Sequence, residues 1–226
     1  MCGRFTLTVS PEELQAAFPD FSIPGDIPPS FNIAPSQPIP VIPNDGENKL
    51  DFFLWGLIPS WTKPEKLGKY SLINARSETA AEKPSFKASF RRRRCLILAD
   101  GFYEWSKAPS GKSKTPYFFT RKDGNPFAFA GLWDLWTSPE GDPIKSAAIL
   151  TTSPNQVVKP VHDRMPVILH PEDYPTWLDP REGTREDFQH LLVPFPDELL
   201  QAYPVSTYVN SPKNNSPLCI QPGNLL

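Results

Sequence analysis

The sequence predicts an α+β fold, a single domain over residues 1–226 built on a largely antiparallel, barrel-like β-sheet with short peripheral helices. Three observations lead there. Short apolar runs with strand character recur between turn residues, and no long stretch of helical period interrupts them. The chain holds 29 Pro against 12 Gly, which shortens elements and favours strands and turns over helical bundles. No Gly/Ser-rich linker, low-complexity tract or internal repeat divides it, and 39% hydrophobic with 12% aromatic residues supplies a core without disulfides.

Taken in order, residues 3–9 alternate polar and apolar as a first strand, and Ser10-Pro11-Glu12-Glu13 reads as a capping box opening a short helix through Phe18. The amino terminus is thereby tied to structure, a precondition for chemistry there. Proline-rich turns fill residues 23–43, a strand follows at 52–57, and 76–90 contains a short helical stretch broken at Pro84. Further strands are predicted at 95–99, 117–120, 127–133, 147–151, 166–169 and 202–205, with short helices near 172–178 and 185–192.

Three cysteines, Cys2, Cys95 and Cys219, match neither a disulfide ladder nor a C-x-x-C metal pair, so a reducing compartment is expected. No segment has signal-peptide character or approaches the ~18 uninterrupted apolar residues of a membrane span, which points to a cytoplasmic protein with no membrane partner. Without a zinc pattern, a phosphate-cradling glycine loop or a dinucleotide fingerprint, neither a metal nor a cofactor is expected. The net charge of −2 conceals an asymmetry: residues 60–125 carry 15 Lys+Arg against 6 Asp+Glu, leaving −11 for the rest. Such a stretch is either a solvated surface or an anion-binding face.

Cys2 is the residue with the most distinctive chemistry. Removal of Met1 ahead of so small a residue leaves an amine and a thiol on adjacent carbons. The amine forms a Schiff base with an aldehyde, and the thiol closes onto the same carbon as a thiazolidine. An α-amine of pKa roughly 7.7–8 is partly neutral at cellular pH and attacks where an ordinary lysine does not. Position alone does not distinguish this from an incidental cysteine.

Its company does. Met1-Cys2-Gly3-Arg4-Phe5 is joined by Asn74-Ala75-Arg76-Ser77-Glu78-Thr79, by the run from Arg93 through Asp100-Gly101-Phe102-Tyr103-Glu104-Trp105, and by Val161-His162-Asp163-Arg164-Met165-Pro166. Together, in this order and over nearly the whole chain, these motifs resemble the SRAP family, the SOS-response-associated peptidases or abasic-site-processing proteins. Leu98, where many members carry proline, is a minor departure.

The resemblance implies a DNA-damage function in which Cys2 is the covalent nucleophile, Asn74 its positioning partner, Glu104 the acid/base carboxylate and His162 the histidine acting on the sugar. The implied partner is single-stranded DNA containing abasic sites, and the implied product a thiazolidine crosslink that shields the lesion. Each role also makes chemical sense alone. Opening the closed hemiacetal of an abasic sugar requires proton movement near neutral pH, which suits imidazole. Loss of water from the Schiff-base precursor needs an acid and then a base, and a carboxyl flanked by Tyr103 and Trp105 is expected to titrate high. Read singly, Glu104 is equally a surface charge on a strand, His162 a core histidine and Asn74 a turn residue.

For DNA binding, Arg4 and Arg76 are expected to hold phosphates beside the lesion. Trp61 stacks on a base or belongs to the core, and Phe86 is either a wedge beside the missing base or a core residue. Pro35 and Thr152 match family segments near the site. Arg91 to Arg94 are either solvated or near phosphate. His170 and His190 receive no role. Two other readings stand beside the covalent trap: a thiol peptidase, whose first substrate is its own Met1-Cys2 bond, and a non-catalytic reader of modified bases. Strand cleavage by β-elimination from the Schiff base is an expected side activity.

Overall fold

The computed structural model describes residues 2–68, 72–107 and 114–223. In chain order its elements are β1 (Phe5–Leu7), α1 (Pro11–Ala17), β2 (Ser30–Ile33), β3 (Pro38–Pro43), β4 (Asp51–Trp55), β5 (Asn74–Arg76), α2 (Lys87–Arg92), β6 (Arg94–Ala99), β7 (Gly101–Lys107), β8 (Lys114–Arg121), β9 (Phe127–Thr137), β10 (Pro143–Thr152), β11 (Met165–Pro166), β12 (Ile168–Leu169), α3 (Tyr174–Trp177), α4 (Arg185–Phe188) and β13 (Leu200–Pro204). The α+β, barrel-like architecture with brief helices is as the sequence predicts.

Strands β3, β4, β10, β9 and β6 close on themselves: each pairs with the next and β6 returns to β3, antiparallel everywhere except at β4–β10. Closure removes the exposed edges of an open sheet. Beyond Ile149 the strands β9 and β10 splay, and β11 and β12 splice into the gap, one on each. On its other edge β10 takes β5 in parallel, Ile149 opposite Asn74 and Thr151 opposite Arg76. A second, antiparallel sheet runs β13-β8-β7-β1-β2.

The two sheets join at Asp100, the single residue between β6 and β7. Its carboxylate accepts from the Thr6 hydroxyl, from Thr8 N–H at 2.5 Å and hydroxyl at 2.6 Å, and from Val9 N–H at 3.1 Å. The start of the chain is therefore fastened to the sheet corner. Gly101 follows because a Cβ there would lie 2.1 Å from the Phe118 ring. Phe5 on β1 packs edge-on against Trp55 at 5.1 Å and Phe129 at 5.8 Å, tying the second sheet to the barrel interior. Each such buried ring contributes about 1.5–3 kcal/mol relative to an exposed one. The capping box of α1 is present in full: Glu13 N–H donates to Ser10 Oγ at 3.2 Å, and Ser10 N–H to Glu13 Oε2 at 2.8 Å.

The structure corrects the sequence reading in three places. Residues 23–43 are not turns throughout, since they contain β2 and β3. Proline is tolerated in β3 because its odd residues bond toward β4, where Trp55 N–H donates to Gln37 O, and its even residues toward β6, where Asn44 N–H donates to Arg94 O. Pro38 and Pro40 thus face the β6 side before pairing with β6 begins at Val41, and Pro43 faces the β4 side after β4 has ended. Each lacks an N–H where no acceptor stands. Residues 76–90 begin on a strand, and their helix is only α2. Arg94 is fully buried, not solvated: it donates to the carbonyls of Trp177 at 2.9 Å, Phe90 at 3.1 Å, Arg91 at 2.7 Å and Arg181 at 3.0 Å, and also to that of Asp179. Its guanidinium lies 4.4 Å from the Phe188 ring centre, and burial lowers its pKa to about 10. No helix among the described residues is long and apolar enough to cross a membrane.

Candidate active site

Cys2 and Gly3 extend β1 toward the amino terminus. The β1–β7 register pairs Phe5 with Phe102, and Tyr103 N–H donates to Arg4 O at 3.0 Å, so continuing it sets Gly3 opposite Glu104. Glu104 is buried, and its side chain alternates with those of Tyr103 and Trp105, which belong to a separate small core with Val205, Val209 and Cys219. Burial raises its carboxyl to about 7. The flanking aromatics named by the sequence lie on the opposite face, so they are not the cause.

Asn74 reaches the same point from β5. Its Nδ2 donates to Cys2 O at 2.8 Å, while its Oδ1 is buried with no hydrogen-bond partner among the described residues. The register of β5 on β10 fixes this placement. His162 arrives from the turn after β10, where His162 N–H donates to Val158 O at 2.9 Å. Its Nε2 lies 3.9 Å from Glu104 Oε2. Its Nδ1 lies 3.0 Å from Arg164 N–H, 3.2 Å from Arg164 O and 3.1 Å from Asp163 Oδ1, and burial lowers the imidazole pKa toward the neutral form. The Cys2 thiol is also buried. Burial, and then the charge of Glu104, push its pKa far above the ordinary value and hold it as S–H. Four residues from four separate segments thus meet beside one end of the barrel.

A family model described as "SOS response associated peptidase (SRAP)" matches residues 1–212. The chain belongs to the SRAP family. Among similar SRAP proteins, the abasic site processing protein YoqW of Bacillus subtilis (strain 168) is 47% identical over 224 residues, covering 98% of this chain and 99% of the relative. The abasic site processing protein HMCES of Rattus norvegicus is 32% identical over 275 residues, covering 100% of this chain and 77% of its own. A crystal structure of a Bacteroides thetaiotaomicron protein superposes with a TM-score of 0.87 at 26% identity, covering 98% of this chain and 100% of that one.

The remaining SRAP positions divide by environment. Arg76 is exposed on the same face of β5 as Asn74, with no carboxylate at salt-bridge distance among the described residues. Arg4 is half-buried beside Cys2 and, among the described residues, bonded only to neutral acceptors. Trp61 is 62% exposed, at the rim of a cavity of about 240 Å³ lined by Leu57, Ile58, Lys66, Leu72 and Ser85. The turn carrying it is bolted to the sheet, with Ile58 N–H on Ser146 Oγ at 2.8 Å, Ser60 N–H on Asp134 Oδ2 at 2.9 Å and Trp136 Nε1 on Thr62 O at 2.7 Å. Phe86 lies in the main core. Thr152 is buried and donates to Leu192 O at 3.0 Å. Pro35 is half-buried in a turn in which Ser36 has φ 67° and Gln37 N–H donates to Ala34 O. Of the arginine run, Arg91 and Arg92 pair with Glu182, and Arg93 with buried Asp134 at 2.7 Å.

Sequence reasoning missed Glu78 as a partner of Arg164, and Asn32 as a partner of Arg4. Glu78 stands inside a quoted motif and Asn32 outside them, and nothing in one-dimensional spacing joins residues so far apart. Among the described residues no group of three His, Cys, Asp or Glu is arranged to hold a metal.

Proposed function

We propose that this chain processes abasic sites in single-stranded DNA, capturing the aldehyde covalently through the amine and thiol of Cys2 once Met1, which lies outside the described residues, has been removed. The observation that carries the reading is the convergence on Cys2 of an amide that grips its carbonyl, a buried carboxyl titrating near 7 and an imidazole facing that carboxyl.

The chemistry follows from these groups. His162 moves protons at the hemiacetal to open the sugar to its aldehyde. The Cys2 amine attacks the aldehyde carbon, and Asn74 Oδ1 is an acceptor suited to orient its N–H. Glu104, partly protonated near neutral pH, gives its proton to the departing hydroxyl, so that water leaves and a Schiff base remains. The thiol then adds to the same carbon. Its proton passes to the nitrogen with Glu104 as relay, and the thiazolidine ring is complete. Arg4 and Arg76, neither neutralised by a carboxylate, favour a phosphate-bearing substrate at this position. A thiol peptidase, the activity in the family's older description, fits less well. Such an enzyme needs a thiolate, and burial disfavours that form of Cys2.

The test is intact mass before and after mixing with a single-stranded abasic oligonucleotide. The expected result is protein lacking Met1 that gains the mass of the DNA less one water. Protein that retains Met1 and still forms the stable conjugate refutes the mechanism. Equal yields on single-stranded and fully paired abasic DNA refute the single-strand preference.

A further inference from the structure

Arg4 is held by uncharged acceptors. Its Nη1 donates to Asn32 Oδ1 at 2.8 Å and to Val209 O at 2.9 Å, its Nη2 donates to Asn210 O at 3.3 Å, and the guanidinium lies 5.9 Å from the Trp105 ring centre. These bonds use three of the five N–H groups of an arginine. Every acceptor is neutral. Arg94 is likewise bonded to carbonyls but is sealed in the core, whereas Arg164 meets Glu78, Arg93 meets Asp134, and Arg91 and Arg92 meet Glu182.

Asn32 organises this cradle. It is 2% exposed, and while its Oδ1 accepts from Arg4, its Nδ2 donates to Val209 O at 3.2 Å, Ser211 O at 3.0 Å and Asn214 O at 2.7 Å. One amide therefore fixes both the guanidinium and the strap of 3-10 helix and turn, residues 207–214, that supplies the other two acceptors. Trp105 Nε1 on Asn210 Oδ1 at 2.7 Å, and Phe31 N–H on Asn215 Oδ1 at 2.6 Å, pin the strap from either side.

We infer that Asn32 is a positioning residue for Arg4. It holds the guanidinium two residues from the reacting Cys2 through uncharged acceptors, which keeps the full positive charge and two N–H groups for a backbone phosphate of the bound strand. A carboxylate in the same place would fix the side chain equally well and cancel the charge. The inference rests on the single-stranded DNA reading given above and adds the residue that keeps one phosphate contact in register.

The experiment uses the whole chain and a single strand carrying a tetrahydrofuran abasic analogue, which has no aldehyde, so binding is read apart from capture. Arg4→Gln is expected to weaken binding about tenfold and to flatten the dependence of log affinity on log salt by about 0.7, the share of one single-strand phosphate. Asn32→Asp, nearly isosteric, is expected to do the same. The double variant is expected to fall no further than Arg4→Gln alone. A wild-type salt slope in either single variant overturns the inference.

Because an aspartate also faces three carbonyls, Asn32→Ala provides a second route if Asn32→Asp does not melt cooperatively. Its loss in adduct-formation rate on aldehyde-bearing DNA must then be non-additive with that of Arg4→Gln, and additive losses overturn the inference. A wild-type chain that binds the analogue but forms no adduct defeats the covalent reading instead. The salt slopes on the analogue still report on Asn32 in that case.

Discussion

The Arg164 guanidinium grips both oxygens of Glu78, at 2.6 and 2.8 Å, while the backbone N–H of the same arginine orients His162. Glu78 follows β5, the strand that carries Asn74. The pair therefore braces the segment that holds Cys2 against the segment that presents the imidazole. Arg164 Nη2 also donates to Thr151 O at 2.5 Å, fixing the brace to β10.

Glu78→Gln is expected to slow adduct formation about tenfold, the order of loss that a small misplacement of a reacting group produces. Its effect on melting should be slight, because Glu78 is half-exposed and exposed ion pairs contribute about 0–1 kcal/mol. The bond to Arg164 lowers the Glu78 carboxyl pKa. The stabilisation is thus present above the ordinary carboxylate range and lost as pH falls through the lowered folded value. Single-turnover kinetics beside a thermal melt separate the two effects; equal fractional losses in both would reduce the brace to a structural role.

Under the proposed mechanism Glu104 sets stability against chemistry. Its folded pKa of about 7 lies above the ordinary 4.5, so folding favours the protonated form, and stability declines as pH rises from 4.5 through 7. Glu104→Gln is expected to be more stable than the parent at pH 8, by on the order of 2–3 kcal/mol, with the difference vanishing below pH 4.5. Urea titrations at the two pH values check this. The same variant should lose most of its rate of capture.

Cys2→Ala, after removal of Met1, keeps the amine and loses the thiol. It is expected to yield an adduct trapped only by borohydride, together with strand cleavage on the 3′ side of the lesion, because the Schiff base acidifies the adjacent C2′ protons. A denaturing gel reads both products. A variant giving neither removes the amine from the mechanism.

Trp61 and Phe86 are separable by two measurements. Trp61→Ala is expected to weaken single-strand binding by about 1–3 kcal/mol, the contribution of one stacked base, with an unchanged melting temperature. Phe86→Ala is expected to destabilise the fold by about 3–5 kcal/mol through the cavity it leaves. Binding by folded Phe86→Ala at low temperature then shows whether that ring also serves the DNA.

Arg94→Met is expected to destabilise by about 3–5 kcal/mol, since it strips donors from several carbonyls around α3 and the segment after it. Denaturant unfolding measures the loss. Capture by the remaining folded protein should be unaffected.

What the sequence made legible was local or chemical. The capping box at Ser10 and Glu13 is a three-residue pattern, and its bonds form as such a pattern dictates. Strands such as β6 announced themselves by unbroken apolar runs. The prolines of β3 concealed a central strand, because only the offset between β4 and β6 reveals that no donor is missing. Arg94 looked like one of four equivalent charges, and only the chain returning at Trp177 to Arg181 makes it a core residue. Glu104 was legible as a high-titrating carboxyl, but for a reason that strand alternation reverses. Asn32 and Glu78 escaped because their partners, Val209 and Arg164, come from distant parts of the chain.

The corner at Asp100 has a practical corollary for anyone making the protein. Its anchoring bonds grip Thr6, Thr8 and Val9, all downstream of Cys2. The sheet corner is therefore anchored by residues that follow Cys2 in the chain. A purification handle fused ahead of Cys2 should give well-folded but inert material, and a protease that trims the handle to leave cysteine in front should switch it on.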